Sequence, residues 1–238
     1  MAVKDFFNHT ATQAVLIITT ILACIALIVY ATYRVLKTSL KAVSVTKTDV
    51  TPGDGPGVVI PSAELPVLLN GMEYGYSLWL YIDKFEERTS PRQVLAQDNV
   101  RVMLGKSANT LRYEFHHKDS GWFGAELEYV PMARWVHLTM VYREGAVTFF
   151  MDGEVHSVHR GIKGIVSTPT GPLTVAGGGG SGTSSWKGDI GTVKVLNYYP
   201  SAADVKKFYW QGPVGSGALK WIGMNNYGMR APLYRLNK

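Results

Sequence analysis

Residues 14–33, AVLIITTILACIALIVYATY, form one unbroken apolar run without a charge, and no other stretch narrows the folding options of the chain as much. A hydrocarbon core about 30 Å thick is crossed by roughly 20 helical residues. The run has that length and predicts a transmembrane helix, with Ala14, Leu16, Ile18, Leu22, Ile25, Leu27, Val29 and Tyr33 as anchoring residues. A cleaved signal peptide has a shorter apolar region, about 7–15 residues, before a small-residue cleavage site. A lipoprotein signal is disfavoured by bulky Leu22 ahead of Ala23-Cys24 and by the apolar residues that continue past Cys24. Cys24 then reads as a small apolar residue.

Orientation follows the asymmetry of Lys and Arg beside the span. Only Lys4 precedes it, whereas Arg34, Lys37, Lys41 and Lys47 follow it with no acid before Asp49. The expectation is a single-pass membrane protein with its C-terminal domain on the cytoplasmic side. The same four basic residues are candidates for setting topology or for contacting lipid headgroups. The rest of the chain has no cysteine, in keeping with a reducing compartment. The only Asn-x-Ser/Thr sequence is Asn8-His9-Thr10, next to the run.

The net charge of +6 is unevenly spread. Residues 1–48 carry +4, residues 49–204 carry −4, and residues 205–238 carry +6 with no acid. The middle is therefore a mildly acidic body between two basic segments. The C-terminal segment is too sparse in charge for a nucleic-acid arm. Its mixture of Lys220, Trp221, Tyr227, Arg230, Tyr234 and Arg235 instead suits a surface that packs on a protein.

From Thr51-Pro-Gly-Asp-Gly-Pro-Gly57, which breaks helix and strand alike, to Tyr199 the pattern is of short β-type runs separated by turn residues. The runs are 74–82, 100–104, 111–115, 135–142, 146–151, 154–158, 173–176 and 190–196. Arg143-Glu-Gly145 reads as a hairpin loop, and Asp152-Gly153 as a tight turn that tolerates positive φ. Nine to twelve strands predict a mainly β sandwich or jelly roll. One helix is predicted near the end, with Ser201 as N-cap, Asp204 three residues on, and Gly212-Pro213 as the stop. Val205, Phe208 and Tyr209 would share its packed face. The domain plan is an N-terminal segment at 1–13, the apolar helix at 14–33, a basic linker at 34–57, the sandwich at 58–212 and an extended tail at 213–238.

Trp135-Val-His-Leu138 followed by Val147-Thr-Phe-Phe-Met-Asp-Gly153 resembles the "W-x-H … Y-x-D-G" hairpin of concanavalin A-like, laminin-G-type jelly rolls. Trp186-Lys-Gly-Asp-Ile190 is similar to their "F-x-G-x-I" strand. Val195–Ser201 with Asp204, Val205 and Tyr209 resembles their closing segment. The resemblance spans roughly 60–212 and implies a concanavalin A-like β-sandwich. Joined to an apolar anchor, the domain also resembles minor capsid proteins of large nucleocytoplasmic DNA viruses. That likeness implies a structural protein linking an inner membrane to a capsid shell, with a lipid bilayer and other capsid proteins as partners.

Retaining glycoside hydrolases of this fold place their carboxylates on one strand as E-x-D-x-x-E, and the chain has no such motif. Glu126-Leu-Glu128 is the nearest pair and reads as a solvated strand face, so no catalytic residue is assigned. Lectins of the fold often use calcium. Asp98-Asn99 and Asp119-Ser120 are loop candidates, but they read better as turn residues bonding their own backbone, so neither a metal nor a cofactor is assigned. His116-His117 and the pair His156/His159 are weak candidate ligands, because adjacent strand residues face opposite sides. His137 reads as part of the fold. Gly177–Gly182 lacks the Lys-Ser/Thr of a phosphate loop and reads as a flexible connection or a close approach of backbones. Trp122-Phe123, in an Asp-Ser-Gly-Trp-Phe-Gly turn context, is a candidate for stacking on a glycan, inserting into a partner, or covering the sandwich end.

Overall fold

The computed structural model describes residues 14–15, 17–32, 42–44, 50–67, 73–84, 90–106, 108–117, 121–162, 169–177 and 186–213. They fall into two units, residues 1–41 and residues 42–238.

In the first unit a helix, α1, runs over 17–32, with residues 14 and 15 also helical. Thr19 donates to the Val15 carbonyl at 2.7 Å, and Thr32 donates to the Ile28 carbonyl, so both hydroxyls are satisfied within the helix. Ala14, Ile18, Leu22, Ile25, Leu27 and Val29 are all exposed on it. Among the described residues no helix is long and apolar enough to cross a membrane. The expected transmembrane helix is corrected accordingly, and with it the placement as a single-pass membrane protein with a cytoplasmic domain. Leu16, Tyr33, Arg34, Lys37, Lys41 and Lys47 lie outside the described residues.

The second unit is a sandwich of two antiparallel sheets. Its strands are β1 (Ala42–Ser44), β2 (Thr51–Pro52), β3 (Val58–Ile60), β4 (Glu73–Lys84), β5 (Arg92–Gln97), β6 (Val100–Leu104), β7 (Leu111–His117), β8 (Gly121–Leu127), β9 (Trp135–Arg143), β10 (Ala146–Met151), β11 (Glu154–Arg160), β12 (Leu173–Val175) and β13 (Lys187–Leu196). Sheet A has the order β1-β13-β4-β9-β10-β11, with β2 also on β13, and sheet B has the order β3-β12-β5-β6-β7-β8. A short 3₁₀ turn at Ser62–Glu64 follows β3. Helix α2 (Ala202–Gln211) follows β13. β1 and β2 lie in the stretch expected to be linker, because extended Thr51-Pro52 reaches β13 before the glycines turn the chain.

Tyr74, Tyr76, Leu78, Leu80 and Ile82 of β4, with Val136, Leu138 and Met140 of β9, face Val102, Leu111, Tyr113 and Phe115 of sheet B across the core. The two sheets differ in what their outer faces meet. β9 is buried at every position from Val136 to Tyr142, whereas β8 alternates between buried and exposed at its C-terminal half. A strand buried on both sides is covered on both sides, and a strand that alternates has one face in solvent. The cover of sheet A is α2. It begins with a capping box: the Ser201 hydroxyl accepts from the Asp204 N–H at 3.2 Å, and the Asp204 carboxylate accepts from the Ser201 N–H at 3.1 Å. It stops at Gly212, whose φ of 79° favours glycine. Val205 and Phe208 bury themselves against Val141, Phe150 and Leu196, and Tyr209 stacks on Trp79 with ring centroids 5.5 Å apart.

Candidate functional site

Beneath α2 the outer face of sheet A holds a closed polar cluster. Thr139 Oγ1 donates to Ser77 Oγ at 3.0 Å, and Ser77 Oγ lies 2.9 Å from His137 Nε2. The Ser77 hydroxyl can donate to that nitrogen or accept from it, and Nδ1 on the other side of the ring is buried with no hydrogen-bond partner. Burial, assisted by the positive charge of Lys194, pushes the His137 pKa down to about 3. Lys194 is itself lowered, by burial and then by Lys207. A serine beside a histidine has the outline of a nucleophile and its base. Among the described residues no carboxylate bonds the ring, and Asp152 accepts from the His137 backbone N–H at 2.9 Å. Asp152 also accepts from Arg134 at 2.8 Å and donates its own N–H to the His137 carbonyl at 2.8 Å. The motif residues Trp-x-His and Asp-Gly are therefore tied to each other, as a framework.

Among the described residues no helix covers the outer face of sheet B. Cross-strand register brings Arg101 of β6, Glu114 of β7 and Gly124 of β8 into one row, and His116 and Trp122 into the next. Trp122 is 39% exposed. The Arg101 guanidinium lies 3.7 Å from its ring centroid, and His116 meets it edge-on at 5.1 Å. Gly124 has no side chain to stand between them. A Cβ there would lie 2.0 Å from the Tyr113 carbonyl oxygen, so the strand needs glycine at the point where Arg101 reaches across to the indole. Arg101 Nε also bonds Glu114 at 2.7 Å, Arg112 bonds the same carboxylate at 3.2 Å, and Arg112 Nε bonds Glu126 at 3.2 Å. The result is an indole bordered by an alternating ladder of guanidinium and carboxylate groups.

Trp122 and Phe123 separate across β8: Trp122 faces solvent, and Phe123 packs against the core beside Phe115 at 6.1 Å. The expected turn is a strand, because glycines at 121 and 124 serve the bend and the arginine crossing within an otherwise alternating segment. Glu126 faces out, but its carboxylate is committed to Arg112, as Glu114 is to Arg101 and Arg112. Asp98 accepts from the Thr170 N–H at 2.7 Å and from the Gly171 N–H, pinning the β5–β6 turn to the segment before β12. It sits at positive φ in the turn, but its carboxylate bonds this distant segment and not its own backbone as the sequence suggested. Gly177 meets the backbone of Gly57, where a Cβ would fall 2.7 Å from the Gly177 Cα. Among the described residues no three His, Cys, Asp or Glu side chains gather to hold a metal. Asp119, Ser120, Lys220, Trp221, Tyr227, Arg230, Tyr234 and Arg235 lie outside the described residues, as does the side chain of His117. Arg101 was missed in the sequence, because it meets Trp122 only through the cross-strand register of β6, β7 and β8.

A sandwich of two antiparallel sheets with a helix over one outer face is a concanavalin A-like architecture. The chain belongs to the concanavalin A-like lectin/glucanases superfamily, which it matches over residues 52–206. No curated protein matches it in sequence. Among solved structures it is similar to the botulinum neurotoxin serotype D binding domain, at 10% identity and a TM-score of 0.56, covering 71% of this chain and 44% of that one. The receptor-binding domain of the mosaic serotype C/D neurotoxin aligns at 11% identity and a TM-score of 0.53, covering 71% and 43%. The botulinum neurotoxin DC binding domain in complex with SialylT aligns at 9% identity and a TM-score of 0.50, covering 67% and 41%. The chain spans less than half the length of these structures, and the likeness is one of fold.

Proposed function

We propose that the chain is a non-enzymatic recognition module that binds a carbohydrate on the outer face of sheet B. Trp122 carries the reading: a large ring left in solvent on the one sheet face that α2 does not cover. Sugars present C–H faces to aromatic rings and hydroxyls to planar polar groups, and a specific site combines the two. Here His116 and Arg101 meet the indole, and the Arg112–Glu126 pair stands further along the same outer face. The neurotoxin binding domain solved with SialylT shares the fold, which is in keeping with this class of ligand. The full chain on a glycan array, with and without calcium, should bind a restricted set of glycans. Trp122→Ala should lower that binding at least ~10-fold, about 1.4 kcal/mol, while leaving the circular dichroism unchanged. Silence with and without calcium removes the reading, and a hydrolytic activity abolished by Glu126→Gln would refute its non-enzymatic part.

A protein partner at the same face is the second reading, and Arg101 favours it. Trp and Arg are the residue types that dominate binding energy at protein interfaces, and here the pair is already stacked. In that setting the chain is a structural protein, of the kind a viral capsid uses as a minor shell component. Crosslinks from Lys106, at the end of β6, to a neighbouring protein in purified particles are expected; crosslinks confined to the chain itself sink this reading.

A further inference from the structure

Residues directly opposite one another across an antiparallel ladder share a face of the sheet. By that rule the charged side chains turned outward on β5 to β8 are, among the described residues, Arg101, Arg112, Glu114 and Glu126, with His116 and Trp122 in the adjoining row. Two guanidinium groups and two carboxylates cancel. The cancellation is also local. Glu114 is buried, and its two oxygens accept from Arg101 Nε at 2.7 Å and from Arg112 Nη1 at 3.2 Å. Glu126 accepts from Arg112 Nε at 3.2 Å. Arg101 divides its charge between Glu114 and the Trp122 ring, 3.7 Å away.

Charge-assisted recognition of an anionic sugar draws on a cation that can turn to it. A ligand carboxylate or sulfate beside this indole meets like charge on Glu114 and Glu126. To capture Arg101 or Arg112 it must take the partner of a buried carboxylate, and a buried charge left unpaired is strongly destabilising. The body that carries the face adds to the repulsion, since residues 49–204 hold a net −4. A neutral sugar meets none of these penalties. Its C–H face can lie on the indole while its hydroxyls donate to carboxylate oxygens and accept from guanidinium N–H groups, with both ion pairs left intact.

We propose that the Trp122 face takes an uncharged saccharide, and that Glu114 and Glu126 determine this specificity by excluding sialylated, sulfated and phosphorylated glycans. The inference rests on the carbohydrate reading of the same face. The test is an array of neutral glycans, each paired with its acidic counterpart, probed with the full chain and with Trp122→Ala. The variant separates binding at this face from attraction of acidic glycans to the basic ends of the chain. In the Trp122-dependent signal the neutral member of each pair should bind at least about tenfold more tightly. That signal should hold steady between about 50 mM and about 500 mM salt. Glu126→Gln, at an exposed position, should raise Trp122-dependent binding of the acidic members about threefold by releasing Arg112. Glu114→Gln should act in the same direction where circular dichroism shows it folded. Trp122-dependent binding that favours acidic glycans, or that collapses with salt, overturns the charge assignment and leaves the carbohydrate reading standing. Acidic glycans that stay unbound by both glutamine variants overturn the role given to the carboxylates. Absence of any Trp122-dependent glycan binding removes both the inference and the reading beneath it.

Discussion

Single residues in this domain divide by what their polar atoms are committed to. Asp98 has a φ of 45° and holds two backbone N–H groups across the sandwich rim. Asp98→Ala removes those bonds and leaves an alanine in the left-handed region, so urea unfolding should show a loss of about 1–3 kcal/mol. Asp98→Asn, which tolerates that φ and keeps one acceptor oxygen, should lose less. His137 makes stability depend on pH in a definite direction. Its folded pKa of about 3 lies below the unfolded value of 6.5. Between those values the unfolded chain takes up a proton that the folded chain refuses. The contribution is therefore whole above pH 6.5 and is lost as pH falls towards 3, at up to about 1.4 kcal/mol per pH unit. Urea titrations from pH 7 to pH 4 should show a shallower decline for His137→Gln than for the wild type, the carboxylates being common to both.

At the level of elements, α2 decides which face of the sandwich is open. Its start is held by the reciprocal Ser201–Asp204 bonds, so Ser201→Ala should cost about 0.5–2 kcal/mol. Because Tyr209 leaves Trp79 if the helix frays, near-ultraviolet circular dichroism should weaken at a lower urea concentration than in the wild type. This helix was fully legible, from capping box to terminal glycine, because helix ends are written in local chemistry. β6 and β10 were legible to the residue, since their apolar runs end at turn residues. The hairpin turns also followed from local chemistry, with Glu144-Gly145 and Asp152-Gly153 at positive φ. β5 was invisible because Arg92, Gln93 and Gln97 interrupt its apolar residues, and their partners (Gly105, Ala176 and Gly171) are distant in the chain. β8 was disguised by two glycines. The candidate site was half legible for the same reason. Trp122 stands out in any reading, whereas Arg101 joins it only through a register that spans three strands.

For the molecule as a whole, the two sheets share one core, and the outer face of sheet A is packed under α2.

The bond between Asp152 and the His137 backbone, together with Trp186 reaching from the start of β13 to the Gln93 carbonyl of β5, has an evolutionary consequence. Asp152 ties β9 to the turn after β10 within sheet A, Trp186 ties the two sheets together, and these motif residues lie away from the outer positions of β6, β7 and β8. Of those positions Gly124 is fixed by the close strand approach, whereas Trp122 and Glu126 stand exposed. Their side chains can drift from one specificity to another while the scaffold beneath stays unaltered, so the domain separates inheritance of shape from inheritance of taste.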